Sequence, residues 1–273
     1  MPNNDELIDL TKLGNIMESI HLKFLKHFCG LNEKSSNWGV LAEPGRKPLI
    51  LFVFQQMLRY WSHLQDSKSP IIAAALKVNT NLSSTNTKCW FACIIKILRW
   101  LRCENIIQNE DDSLPKQIPN MKKTIDDRFG ELWRNHRSMI LKSPDSKMQL
   151  FAQIIGDKFQ RSPHIDQIQN YKIRNSVTRF RLSAHNLPIE TMRYINVPRN
   201  LRLCPFCCSS VGDEKHFFLD CQFSEIAESR KRLPSIQTKK SYNDMLKLLK
   251  ETDLVILGDV SKHIRKIEVV LKH

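Results

Sequence analysis

The chain has 273 residues, 41% of them hydrophobic, enough for one large domain or two modest ones with real cores. Its 42 lysines and arginines against 28 acidic residues give a net charge of +14, which draws polyanions such as nucleic acid. No run reaches the roughly 18 apolar residues of a membrane span; the nearest, Cys89 to Leu101, is broken by Lys96 and Arg99. The polar start, Met1 to Glu6, lacks the layout of a secretory signal. Eight cysteines in such a chain read as reduced thiols or metal ligands, so an intracellular (cytoplasmic or nuclear) protein without a membrane partner is expected.

With 8 glycines the chain favours helices. Ile8, Leu10, Leu13, Met17, Ile20, Leu22, Phe24, Leu25 and Phe28 recur at helical steps, with Gly30 as the stop. Residues 32–37 and 43–48 read as loops, and Pro48 opens a helix over about 49–64. A short helix over 70–78, a Ser/Thr/Asn loop over 79–87 and an apolar helix over 88–103 follow. Cys89, Cys93 and Cys103 on that last segment read as core residues, not ligands. Residues 104–119, with Glu110-Asp111-Asp112, Pro115 and Pro119, read as a linker. Amphipathic stretches are expected near 120–142 and 146–159. In a helix over 171–187, Ile173, Val177, Phe180, Ala184 and Leu187 share one face. Lys172 and Arg179 flank that seam on one side, and Arg174, Arg181 and His185 on the other. Such a helix packs on a core while offering cations to phosphates. Residues 233–273 read as one or two covering helices.

The strongest local signal is Cys204-Pro205-Phe206-Cys207, then His216, then Cys221. Two thiols separated by two residues grip one ion from a tight turn, and a structural zinc ion takes four thiolate or imidazole ligands. Cys208 is a feasible alternative to Cys207; the shorter spacing favours Cys207. Phe217, Phe218 and Leu219 after the histidine give the segment an apolar side. Structural zinc contributes about 10–16 kcal/mol in isolated finger peptides, enough to specify a segment with little core of its own.

The run Arg179-Phe180-Arg181-Leu182-Ser183-Ala184-His185-Asn186-Leu187-Pro188-Ile189-Glu190 precedes Arg193-Tyr194 and Arg202-Leu203-Cys204-Pro205-Phe206-Cys207. Together with Asp213-Glu214-Lys215-His216-Phe217-Phe218-Leu219-Asp220-Cys221, these residues resemble the C-terminal region of LINE-type non-LTR retrotransposon reverse transcriptases. The block from His21 to Leu49 is similar to the segment after the polymerase palm in those proteins. Pro44 and Thr191-Met192 depart from the family pattern, which has an aliphatic residue and a glycine-containing step there. The resemblance implies a mainly α chain: a bundle-like thumb region (1–103), a linker (104–119), a basic helical region (120–199), a CCHC zinc module (200–232) and C-terminal helices (233–273). It implies zinc ligands Cys204, Cys207, His216 and Cys221, and a basic motif that includes Arg179, Arg181 and His185. Nucleic-acid contacts are expected from these three and from Lys172, Arg174, Arg193, Arg199 and Arg202.

Polymerase chemistry needs carboxylates around two metals. Asp111-Asp112 and Asp126-Asp127 lack the aromatic residue and strand setting of a polymerase hairpin, and Asp126-Asp127 reads as a helix start. The chain is therefore expected to bind RNA or DNA without catalysis, the polymerase of the family protein preceding it. The other readings are a zinc-stabilised module that docks a protein partner through its phenylalanines, and a decayed element without selected activity.

Overall fold

The computed structural model describes residues 16–108, 114–143, 146–233 and 241–272. Ile8, Leu10, Leu13, Glu110 and Asp111-Asp112 lie outside them. Among the described residues the chain is mainly α, with one isolated antiparallel bridge, Leu203 to Val211, and no strand. None of these helices is long and apolar enough to cross a membrane. In chain order they begin with α1 (Ile16–Phe28), α2 (Asn37–Ala42), α3 (Leu49–Gln65), α4 (Pro70–Leu82), α5 (Trp90–Trp100), α6 (Asn105–Gln108) and α7 (Leu114–Leu141). There follow α8 (Gln149–Ile154), α9 (Pro163–Gln167), α10 (Tyr171–Arg181), α11 (Pro188–Thr191), α12 (Ser224–Arg230), α13 (Tyr242–Leu248) and α14 (Leu254–Val270). The stretch read as a linker thus contains α6 and the first turns of α7. The described residues form two compact units, those within 16–19 and 47–133, and those within 20–46 and 134–272.

In the first unit, α3 buries Leu51, Phe54, Leu58 and Trp61 at three- and four-residue steps. Trp61 meets Phe91 of α5 edge-on at 6.1 Å, and Phe54 meets Trp100 at 5.5 Å. Met121, Ile125, Phe129 and Trp133 form the buried stripe of α7, four residues apart. Cys89 is no core residue: it is half-buried, and its sulfur caps α5 by accepting from the Ala92 N–H. Asp126 sits within α7 rather than at a helix start, and it pairs with Lys47 at 2.5 Å.

In the second unit, α10 is the organising element. Asn170 caps its start by accepting from the N–H groups of Lys172 and Ile173. It ends at Arg181, six residues earlier than its apolar pattern suggests, because Ser183 turns left-handed (φ 48°) and the Ala184 N–H bonds back to the Arg179 carbonyl. Val177 and Phe180 enter a core shared with Leu150, Ile154, Met245, Leu248, Val260, Ile264 and Ile267. The C-terminal helices are therefore part of this core rather than a cover over it.

A buried polar cluster accompanies that core. Arg181, 3% exposed, pairs with the fully buried Glu43 at 2.7 Å and donates to Ser162 Oγ (3.1 Å) and to the Leu249 carbonyl. Burial alone would raise Glu43, but the charge of Arg181 and hydrogen bonds from Arg181 and Ser162 hold its carboxyl below the ordinary range. Buried His164 shares a 2.9 Å hydrogen bond with Thr178, and burial pushes its imidazole down to about 3.

Candidate metal centre

Residues 202–212 fold back on themselves. Cys204 N–H donates to the Ser210 carbonyl (2.8 Å), Gly212 N–H to the Arg202 carbonyl (2.8 Å), and Cys208 N–H closes a turn on the Cys204 carbonyl (2.9 Å). At Gly212 a Cβ would lie 2.8 Å from the Pro188 ring, so only glycine permits this approach. The reversal delivers Cys204 into the core, with Cys207 at its tip.

The other two residues come from a single wide turn, His216–Asp220. Asp213 Oδ1 accepts from the His216 N–H (2.9 Å), and the Cys221 N–H donates to the His216 carbonyl (2.7 Å), a five-residue closure. In an α-helix a five-residue step leaves two side chains roughly 140° apart. The wider π-type turn brings His216 and Cys221 to one side instead. Arg230, buried, holds this turn by donating to the carbonyls of Phe217, Phe218 and Cys221.

Cys204, His216 and Cys221 are brought together: their ligand atoms lie within 4.8 Å of one another, all three buried, and this group could hold a metal ion. Cys204 and Cys221 sulfurs are 3.9 Å apart. Cys207 falls outside that mutual threesome, yet its Sγ is 3.6 Å from His216 Nε2. Cys208, by contrast, is exposed and points its thiol at the Pro205 carbonyl. Burial pushes the Cys204 thiol up to about 12 and lowers His216.

The segment does not stand as a module with little core. Cys204, Phe217, Phe218, Leu219 and Cys221 are continuous with the core built by α10, α13 and α14. Phe217 and Phe218 are fully buried there, and Phe206 stacks on Phe223 at 4.2 Å, so the phenylalanines expected to dock a partner are used internally.

The cations expected to meet phosphates divide into two sets. Lys172 and Arg199 are exposed. Arg181 is committed to Glu43, and Arg179 makes a two-pronged pair with Glu268 (2.6 and 2.8 Å). Arg202 donates to the carbonyls of Val197 and Ile189, Arg193 pairs with Glu190 at 3.0 Å, and Arg174 lies over the Phe28 ring at 4.8 Å. His185 is buried against Glu214 at 3.0 Å. Burial alone would raise Glu214, but hydrogen bonds from His185 and Ser183 hold it down at about 2. The helix wheel misassigned His185 because it lies beyond the true end of α10.

Two supporting residues escaped the sequence reading. Asp213, three residues before His216, carries a helix-capping signal that spacing could have revealed. Arg230 has no such signal, since nothing local separates a buried arginine from a solvated one. Comparison with known protein families, characterised proteins and solved structures returns no match, so the arrangement of side chains carries the functional argument.

Proposed function

We propose that Cys204, Cys207, His216 and Cys221 hold one structural zinc ion, and that the unit they stabilise binds nucleic acid without catalysing a reaction on it. Two distances carry the metal reading. With zinc–sulfur and zinc–nitrogen bonds of about 2.3 and 2.05 Å, a tetrahedron has edges near 3.8 Å between sulfurs and 3.5 Å between sulfur and nitrogen, both approximate. The Cys204–Cys221 separation is 3.9 Å and the Cys207–His216 separation 3.6 Å. Thiolate and imidazole donors without an oxygen ligand suit zinc, which would tie the hairpin at 204–207 to the wide turn at 216–221.

The nucleic-acid reading is supported by the net charge of +14 and by the likeness of residues 179–221 to the tail of LINE-type reverse transcriptases. Lys172 and Arg199 are the expected phosphate contacts, joined by exposed Lys34 and Lys215. Metal analysis of purified protein tests the first part: about one zinc per chain is expected, lost in Cys221→Ser and kept in Cys208→Ser. Retention in Cys221→Ser would overturn it. Titration with single-stranded RNA and DNA at two salt concentrations tests the second, because phosphate contacts release counterions and affinity must fall with salt. An affinity indifferent to salt refutes it.

A further inference from the structure

In the second unit, the backbone around Tyr194 is tied down while its side chain stands in water. The single 3-10 turn Met192–Ile195 is closed by Asn196 in the left-handed region (φ 57°). The Asn196 N–H donates to the Arg193 carbonyl and the Val197 N–H to the Met192 carbonyl, both at 3.1 Å. Arg193 anchors the turn inward on buried Glu190 at 3.0 Å. Met192 and Arg193 are half-buried in consequence, and Tyr194 and Ile195 point outward, 54% and 71% exposed. A partner meeting this ring has little backbone left to order.

Two ammonium groups attend the ring. Lys147 Nζ is 3.2 Å from the hydroxyl but 5.7 Å from the ring centre, so it sits off the hydroxyl edge rather than above a face. Exposed Lys34 has its Nζ 5.5 Å from the ring centre, and one ammonium covers one face at most. The exposure of the ring therefore leaves a face for a second planar group. Lys34, Lys147 and Arg193 face one nearby carboxylate, Glu190, which lies 3.8 Å from Lys147 as well as against Arg193. Glu33, beside Lys34 in the chain, acts on Lys26, whose Nζ donates to the Glu33 carbonyl at 2.7 Å. The surroundings of the ring are thus positive on balance.

We propose that Tyr194 is a stacking platform for an unpaired base of single-stranded RNA or DNA, with Lys34 taking a neighbouring phosphate. The inference rests on the nucleic-acid reading and deepens it by naming the state of the strand. A flat base uses the ring and a phosphate uses the ammonium, so one nucleotide satisfies both features. A duplex keeps its base faces stacked on one another and can use the cation only, as can the carboxylates of an acidic peptide. Every base has a π-face, so the platform is indifferent to sequence. Lys147 does not contact the strand; it holds the phenol edge.

The test uses the full chain and fluorescence anisotropy with labelled RNA and DNA of about 12 nucleotides, each alone and annealed to its complement. Tyr194→Ala is expected to weaken single-strand binding at least about fivefold and duplex binding less than about twofold. Tyr194→Phe keeps the ring and should stay within about twofold of the wild type on both. Lys34→Ala should lower the salt slope for single strands by about one, whereas Tyr194→Ala should leave that slope unchanged. The exposed position makes these variants fold, and an unaltered melting temperature checks it. Equal losses on single strand and duplex in Tyr194→Ala, or no loss on either, overturn the platform while the nucleic-acid reading stands. A Tyr194→Phe variant as weak as Tyr194→Ala also overturns it, because the hydroxyl rather than the ring would then make the contact. If the wild type binds neither form, the nucleic-acid reading fails and the platform with it.

Discussion

Replacing Arg181 with methionine separates a structural role from a phosphate-binding one. The guanidinium is 3% exposed and is the charged partner of Glu43, which is fully buried and has an oxygen, Oε2, with no hydrogen bond of its own. Methionine fills much of the volume but leaves the carboxylate uncompensated and the Ser162 hydroxyl and Leu249 carbonyl without their donor. Breaking a buried pair from one side costs about 3–5 kcal/mol, dominated by the stranded charge. Adding Glu43→Gln to Arg181→Met neutralises that charge and should restore about 1–3 kcal/mol. Urea unfolding of the wild type, both singles and the double gives the cycle directly. Salt-dependent binding of single-stranded RNA by the folded fraction should keep the wild-type slope, while Lys172→Ala and Arg199→Ala each reduce it by about one. A stability loss below about 1 kcal/mol in Arg181→Met, together with a reduced salt slope, would refute the reasoning and make Arg181 one of the proposed phosphate contacts.

The same cluster predicts acid sensitivity. The folded-state values of His164 and Glu43 are both depressed, so protons bind the unfolded chain first and stability falls as pH drops from about 6.5, the unfolded histidine value, toward about 3. His164 contributes a slope of up to about 1.4 kcal/mol per pH unit over that window, and Glu43 adds to it below its unfolded value; urea midpoints from pH 7 to 4.5 measure this, and a flat profile contradicts it. Gly212→Ala places a Cβ 2.8 Å from the Pro188 ring and should cost about 1–3 kcal/mol, read as a lowered melting temperature. Arg230→Met removes donors from three carbonyls of the wide turn and should cost about 3 kcal/mol or more. Its loss should also make unfolding more sensitive to a chelator than in the wild type; unchanged chelator sensitivity would show that Arg230 does not hold the turn.

Period and spacing are local properties, and what depends on them was legible before any coordinates. The helix opened by Pro48, the stop at Gly30 and the nearness of Cys204, His216 and Cys221 all follow from residue order. The preference for Cys207 over Cys208 rests on spacing alone; in the structure the Cys207 sulfur lies 3.6 Å from His216 Nε2 and the Cys208 thiol points at the Pro205 carbonyl. The fate of the cations was not legible. Arg179 and Arg181 sit two residues apart on one helix and carry the same positive charge as Lys172, yet Glu268 and Glu43, far away in the chain, take them inward. A charged side chain is solvated or buried according to whether a carboxylate reaches it from another element, and that encounter exists only once the chain has folded. Tertiary structure likewise decided that Phe218 meets Phe180 of α10 and His263 of α14 and that Phe217 is buried in the same core, because apolar area seeks whichever surface is nearest, and periodicity does not say which surface that is.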